Sequence, residues 1–348
     1  MNSGLNIARR DAPRARGAAI EHGGGLDAAR RRFPLAPEPW IDLSTGVSPR
    51  AYPLPVIAPQ AWTRLPDENA QALVEAAAGR AYRAAAPIEV VAGAGTQAFI
   101  QCLPRLFHAR RVATLGFTYA EHAASWRAGG ACVSVAASLD ELAAMDAAVV
   151  VNPNNPDGRL IAPERLVELA RQMAPRGGLL IVDEAFVDFV PEASVAPQAG
   201  ANLIVLRSFG KAYGLPGLRL GFALCEPSVA ARLRAALGPW SVCGPALAAG
   251  AVALADVAWL EQSKTLLEHS ARRLDSLLAS AGFAIVGGAS LFRLAEHDDA
   301  AIWFERLCRA GILTRRFAQR DNWLRFGLPA EPRDWERLAL ALGAPPNV

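Results

Sequence analysis

Between residues 88 and 225 the sequence alternates short apolar or β-branched runs with longer segments rich in Ala, Leu and Arg. Such alternation is the pattern of strand and crossover helix, and it commits the segment to a mainly parallel sheet with helices on both faces. Strands are expected at 88–92, 112–115, 132–135, 148–151, 179–182, 203–206 and 220–224, giving a seven-stranded sheet. Residues 227–282 carry almost no strand signal, only an Ala- and Leu-rich helical pattern broken at Gly238-Pro239 and Gly244-Pro245. Strand-like pieces return at 283–286, 291–294, 312–314 and 323–326, interleaved with helical 300–309 and 333–342. The expected organisation is therefore α/β in four parts: an N-terminal arm (1–44), a large sheet domain (45–226), linking helices (227–282) and a smaller α+β C-terminal domain (283–348).

Charge and cysteine usage narrow the partners. A formal net charge of +3 over 348 residues creates no overall field toward nucleic acid or an anionic membrane, though it leaves a small anionic ligand open. The five cysteines are far apart and never form Cys-x-x-Cys, so neither a metal site nor a disulfide framework is suggested, and a reducing cytoplasm is expected. Arg9, Arg10, Arg14 and Arg16 stand near the start without the apolar stretch of a signal peptide, and no uncharged apolar run is long enough to span a bilayer.

Four segments at expected strand ends carry chemistry. Gly93-Ala94-Gly95-Thr96-Gln97 opens a helical pattern over 98–107, and a glycine turn at a helix N-terminus offers free N–H groups and the positive dipole end to a phosphate. A dinucleotide site would want a third glycine and an acidic residue ending the next strand; neither Phe99 nor the 112–115 run supplies them. Asn152-Pro153-Asn154-Asn155-Pro156-Asp157-Gly158 contains more asparagine than a tight turn needs, so at least one amide is expected to face a ligand. Asp183 ends the most apolar strand, where a carboxylate is costly without a positive partner, either a protonated ring nitrogen or an arginine. Lys211 lies between glycines just after a buried run, a setting that suits either a desolvated Schiff-base lysine or an ordinary loop lysine. The spacing favours the first. Asn155, Asp183 and Lys211 succeed one another at 28-residue steps, about one strand–helix unit, so all three should reach one edge of the sheet. Phosphate cradle, rigid amide, buried carboxylate and amine together match the needs of pyridoxal 5'-phosphate.

With these residues in place, the chain resembles the fold-type-I pyridoxal-phosphate enzymes of the class I/II aminotransferase superfamily. The resemblance rests on Asn-Pro-Asn-Asn-Pro-x-Gly, Asp-Glu-Ala-Phe and Ser-Phe-Gly-Lys…Gly-Leu-Arg-Leu-Gly and covers nearly the whole chain. It implies Lys211 as the cofactor-linked lysine, Asp183 as partner of the pyridine nitrogen, Asn155 on the ring hydroxyl and Tyr119 stacked on the ring. Gly95, Thr96, Gln97, Ser208 and Arg219 would complete the cofactor site, Arg219 through its forked guanidinium. A homodimer is also implied.

Two branches of that superfamily are close: threonine-phosphate decarboxylases of cobalamin synthesis and histidinol-phosphate aminotransferases. His22-Gly23-Gly24 followed by Trp40-Ile41-Asp42-Leu43-Ser44-Thr45-Gly46 is similar to the decarboxylase opening, which closes over the substrate phosphate, and Phe186 replaces a tyrosine usual in the other branch. The resemblance thus implies decarboxylation of O-phospho-L-threonine to aminopropanol phosphate, with transamination of histidinol phosphate or a related amino acid as the alternative. Arg325 matches the family's carboxylate clamp, and Arg315 or its neighbour Arg316 is a second anion contact. Leu65-Pro66-Asp67 departs from the family where relatives carry a tyrosine that reaches the cofactor phosphate across a dimer. Two rivals lack support: a cofactor-sensing transcription regulator needs a DNA-binding module that the start of the chain does not offer, and a dinucleotide oxidoreductase leaves Lys211 and Asn155 unexplained.

Overall fold

The computed structural model describes residues 20–343. The four arginines near the start, and the rest of the arm before residue 20, lie outside the described residues. Thirteen strands are formed: β1 (Ile41–Asp42), β2 (Glu89–Gly93), β3 (Arg111–Leu115), β4 (Cys132–Ala136), β5 (Ala147–Val151), β6 (Leu179–Asp183), β7 (Leu203–Ser208), β8 (Gly221–Cys225), β9 (Ala284–Ala289), β10 (Phe292–Glu296), β11 (Ile312–Leu313), β12 (Arg315–Phe317) and β13 (Arg320–Gly327).

Strands β2 to β8 make the expected seven-stranded sheet in the order β2-β8-β7-β6-β5-β3-β4. Only β8 runs against its neighbours; the remaining pairings are parallel. The central strands read as unbroken apolar runs because both faces are covered. Val150, Val182 and Val205 enter one core, while the adjacent Val149, Ile181 and Ile204 enter the other, as a two-residue side-chain period requires. Helices Thr96–Leu106, Ala120–Ala128 and Pro227–Leu237 supply Phe99, Leu103, Trp126 and Leu233 to the second core. Glu68–Ala81, Pro163–Met173 and Gly244–Ala255 supply Val74, Leu166 and Leu247 to the first.

The linking region differs from the sequence-based expectation in one respect. Gly244-Pro245 begins the helix Gly244–Ala255 and does not interrupt one, since proline in a first turn lacks only an N–H that has no helical partner there. The helical pattern is broken from Gly238 to Cys243, and again at Asp256, whose carboxylate accepts from Trp259 N at 3.0 Å and caps the 24-residue helix Val257–Ser280. No single helix among the described residues is long and apolar enough to cross a membrane.

Strands β12-β13-β10-β9 form an antiparallel sheet, while β1 of the arm pairs in parallel with β11. The strand expected at 312–314 is β11, and the sequence-based expectation does not include β12, which follows it in a different sheet. The arm is stitched to the C-terminal part through Ile41↔Ile312 and Asp42↔Leu313.

Candidate active site

The ends of β5, β6 and β7 fix the site. Val151 lies in register with Asp183, and Asp183 with Leu206, so the loops that leave these strands emerge along one edge of the sheet. Asn155, Asp183 and Lys211 accordingly line a single cavity of about 410 Å³, as the 28-residue steps require. Because Asn155, Asp183 and Lys211 end or follow the parallel strands β5, β6 and β7, the cavity lies at the carboxyl edge, where ligands of wound sheets bind.

One end of the cavity is a cradle for an anion. The helix Thr96–Leu106 starts there with no side chain capping its first turn, so its N–H groups face the cavity with the positive dipole end. Gly95 has φ of +76°, and a Cβ on it would stand 2.7 Å from Arg219 Nη2, so the guanidinium lies flat against a position that only glycine satisfies. Arg219 itself is held at φ of +51°, an uncommon left-handed conformation for a side-chain-bearing residue. Thr96 and Ser208 add hydroxyls to the same lining.

Lys211 sits in the one-turn helix Phe209–Ala212 directly after β7. Ser48 N donates to Lys211 O at 2.8 Å, and Tyr52 N to Tyr213 O at 2.9 Å, so the segment after the arm clasps this turn. Tyr213 stacks between Phe209 and Trp259. Burial, seconded by Arg325 and Arg219, pushes the amine's pKa down from 10.5 to about 8, against the opposing pull of Asp183. The Phe186 ring lies 5.7 Å from Nζ.

Asp183 has a partner that neither sequence alternative named. Its Oδ2 lies 2.8 Å from His122 Nε2, both side chains being almost wholly buried, and Oδ1 accepts from Ala185 N at 3.1 Å. The expected arginine serves the neighbouring acids: Arg207, stacked on Tyr82, pairs with Glu184 at 3.2 Å and Asp188 at 2.5 Å. Ser194 Oγ and Val195 N also donate to Glu184, and burial nonetheless pushes its carboxyl pKa up.

The asparagine-rich turn divides its labour. Asn152 clips the backbone of Ile161 through both amide atoms, at 2.8 and 3.0 Å. Asn154 holds Phe117 O, Asp157 and Thr118. Only Asn155 reaches the cavity, so two of the three amides are structural. Asn155 Oδ1 accepts from Arg325 Nη1 at 2.5 Å, and Arg325 Nη2 donates to Ser44 O at 2.8 Å. Arg325 is buried over Phe292, and desolvation lowers its pKa to about 10.

The arm borders the opposite end. His22 lines the cavity, whereas Gly23 and Gly24 serve the arm's path: a Cβ on Gly23 would collide with Ser44 O, and Gly24 N donates to Ser44 Oγ at 2.7 Å. Arg315 lies opposite Arg325 across β12 and β13 and Arg316 packs on Phe304; both border a cleft beside the main cavity, and neither lines the main cavity itself. Arg315 donates to Glu21 O and, with His22, lines an adjoining cleft of about 280 Å³. Tyr119 lines the main cavity, its phenol pushed up to about 12 by burial with Glu121 and Asp183 adding to the shift. Its Oη stands 3.5 Å from Gln97 Oε1. Gln97 lines the cavity as well, but its amide N–H is engaged by Glu121 at 2.8 Å. Sequence reasoning gave no role to His122 or Glu121, and quoted Ser44 only within a longer motif; the place of Glu121 in the first turn of the helix that Tyr119 precedes is the one hint it offered for the first two.

Comparison with known proteins agrees with this geometry. Residues 56–341 match the family model described as aminotransferase class I and II. A threonine-phosphate decarboxylase from Sinorhizobium sp is 46% identical over 332 residues, covering 93% of this chain and 98% of that protein. Another from Pseudomonas aeruginosa is 43% identical, covering 93% of this chain and 97% of that protein. Among solved structures, a histidinol-phosphate aminotransferase from Sinorhizobium meliloti, in complex with pyridoxal-5'-phosphate, superposes with a TM-score of 0.80 at 22% identity, covering 97% of each chain; at that identity the likeness concerns the fold.

Proposed function

The chain belongs to the class I and II aminotransferase family, and from that premise we propose that it is a pyridoxal-phosphate-dependent lyase that decarboxylates O-phospho-L-threonine to aminopropanol phosphate in cobalamin biosynthesis. The cofactor assignment is carried by one observation: a buried lysine with a lowered pKa shares a cavity with a cradle that a Cβ on Gly95 would fill. The substrate assignment is supported by the two decarboxylases, each more than 40% identical over nearly all of their length. A cytoplasmic homodimer completes the reading. It is supported by free cysteines and by the exposed Val56, Trp62, Leu65 and Trp240, an apolar set that a second copy would cover. The four-part division of the chain remains part of the same reading.

When bound, pyridoxal phosphate supplies an electron sink that lets a bond to the amino acid's α-carbon break heterolytically. Thr96 N–H, Ser208 Oγ and Arg219 would hold the phosphate, and Tyr119 would cover the ring. Asp183, fixed by His122, would hold a proton at the ring nitrogen. Asn155 would donate to the ring hydroxyl oxygen. Lys211 is the attachment point, and its lowered pKa leaves part of the amine neutral and nucleophilic near pH 8. When not attached to the cofactor, the Lys211 amine would be the group able to hold or move a proton near the substrate's α-carbon. Arg325 would bind the substrate carboxylate, and His22 and Arg315 would hold the substrate phosphate, so that together they would orient the substrate.

Purified enzyme incubated with O-phospho-L-threonine should release CO2 and accumulate aminopropanol phosphate. Oxo-acid-dependent amine transfer from histidinol phosphate without CO2 would transfer the assignment to the aminotransferase branch. Borohydride reduction and then peptide mapping should put the cofactor mass on Lys211; its appearance on another lysine would remove the basis of the reading.

A further inference from the structure

The wall between the cradle and the arm contains a carboxylate to which the cofactor and substrate assignments give no task. Glu121 stands in the first turn of Ala120–Ala128, its side chain only 18% exposed. Its Oε1 lies 2.9 Å from His22 Nε2, and its Oε2 accepts from Gln97 Nε2 at 2.8 Å. Gln97 belongs to the helix Thr96–Leu106, which is tied to Glu121's helix by Ser125 Oγ donating to Ile100 O at 2.8 Å. The carboxylate thus joins a firmly packed helix pair to a lightly anchored segment. Near His22 the arm is held by Gly24 on Ser44 and by Arg315 on Glu21 O, and the His22 side chain is 47% exposed.

We propose that Glu121 is a positioning residue: it latches the arm through His22 Nε2 and so aims the ring's remaining nitrogen, Nδ1, at the substrate phosphate. The inference rests on the reading that the substrate carries a phosphate. With Nε2 engaged by Glu121, Nδ1 is the ring nitrogen left to meet a phosphate oxygen. Glu121 therefore acts on substrate affinity. It does not act on bond breaking at the α-carbon, where Lys211 and Asp183 work.

The holoenzyme variants Glu121→Ala and Glu121→Gln test this. Loss of a half-exposed charge-assisted contact should raise KM for O-phospho-L-threonine roughly fivefold in the alanine variant, with a smaller change in kcat and an intermediate KM for glutamine, which keeps one acceptor. Amide hydrogen exchange of the segment 20–25 should accelerate in both variants, with or without cofactor. Adding Glu121→Ala to His22→Asn should raise KM no further, because the latch acts through that ring. An unchanged KM, unchanged exchange at 20–25, or additivity with His22→Asn would each overturn the latch. If wild-type enzyme releases no CO2 from phosphothreonine while exchange still accelerates, the latch stands and the substrate reading falls.

Discussion

Replacing Lys211 with methionine should stabilise the cofactor-free protein at neutral pH, and the gain should disappear as pH rises. The folded site lowers the amine's pKa from 10.5 to about 8, so it disfavours the charged form relative to the unfolded chain. About 2.5 units at roughly 1.36 kcal/mol each give a ceiling near 3 kcal/mol. The measured gain should fall below this ceiling because Lys211 retains some solvent contact. The sign comes from proton counting. Below pH 8 both states hold the proton and the folded state bears the whole penalty. Between pH 8 and 10.5 the folded state sheds its proton first, so wild type recovers stability; above that window both are neutral. Methionine keeps a flexible unbranched chain without the charge. Urea unfolding of both cofactor-free chains at one protein concentration, at pH 7, 8, 9 and 10, isolates the difference. A stability difference that stays flat from pH 7 to 10 would refute the reasoning, since lost packing has no such pH dependence. Adding Arg325→Gln should narrow the effect, because Arg325 is one of the charges that depress this pKa.

Three further outcomes are set by the buried contacts. His122→Ala should cost about 1–3 kcal/mol in urea unfolding by leaving Asp183 without its buried partner, and should weaken cofactor retention in absorbance titrations. Arg219→Lys should raise the cofactor Kd about tenfold, because lysine keeps the charge but loses the fork that lies along Gly95. Arg207→Leu should cost about 3–5 kcal/mol by leaving Glu184 and Asp188 uncompensated, whereas the combination Glu184→Gln, Asp188→Asn and Arg207→Leu should recover part of the lost Tm.

The cofactor end of the site was legible because its physics is local. Continuous apolar runs identify β5, β6 and β7, and a chemically distinctive residue stands at or just beyond the end of each, at a step set by the length of one strand–helix unit. Contacts between helices are a different matter. His122 reaches Asp183 across 61 residues, and nothing in a lone histidine on an Ala-rich helix indicates which strand end it faces. Ser44 meets Arg325 across 281 residues through a backbone oxygen, a contact for which residue identity holds no signal. The tasks of Asn152 and Asn154 in the same turn were not legible for a related reason: an amide that clips a backbone and one that lines a cavity are the same residue type. β12 escaped notice because Arg315-Arg316-Phe317 shows no alternation, yet its pairing with β13 is what orients Arg315.

Arg325 ties Asn155 to Ser44 of the arm, so on the proposed reading it would act on the cofactor as directly as on the substrate. The arm and the C-terminal part hold together through β1–β11, Arg315 on Glu21 O and Arg325 on Ser44 O. The same guanidinium donates to Asn155 Oδ1, and an amide whose oxygen faces a donor must turn its NH2 the other way. On the proposed reading, Arg325 would therefore orient Asn155 as a donor toward the ring hydroxyl, as well as bind the substrate carboxylate. A neutral replacement at 325 removes both functions at once. Its loss of activity then overstates the carboxylate contact by the share that belongs to Asn155. The two effects separate in a double-mutant cycle: in Asn155→Ala the amide is already gone, so Arg325→Gln should shift the pH dependence of the cofactor chromophore less there than in wild type, while its effect on KM persists. Equal spectral shifts in both backgrounds would mean that Arg325 acts on the substrate alone.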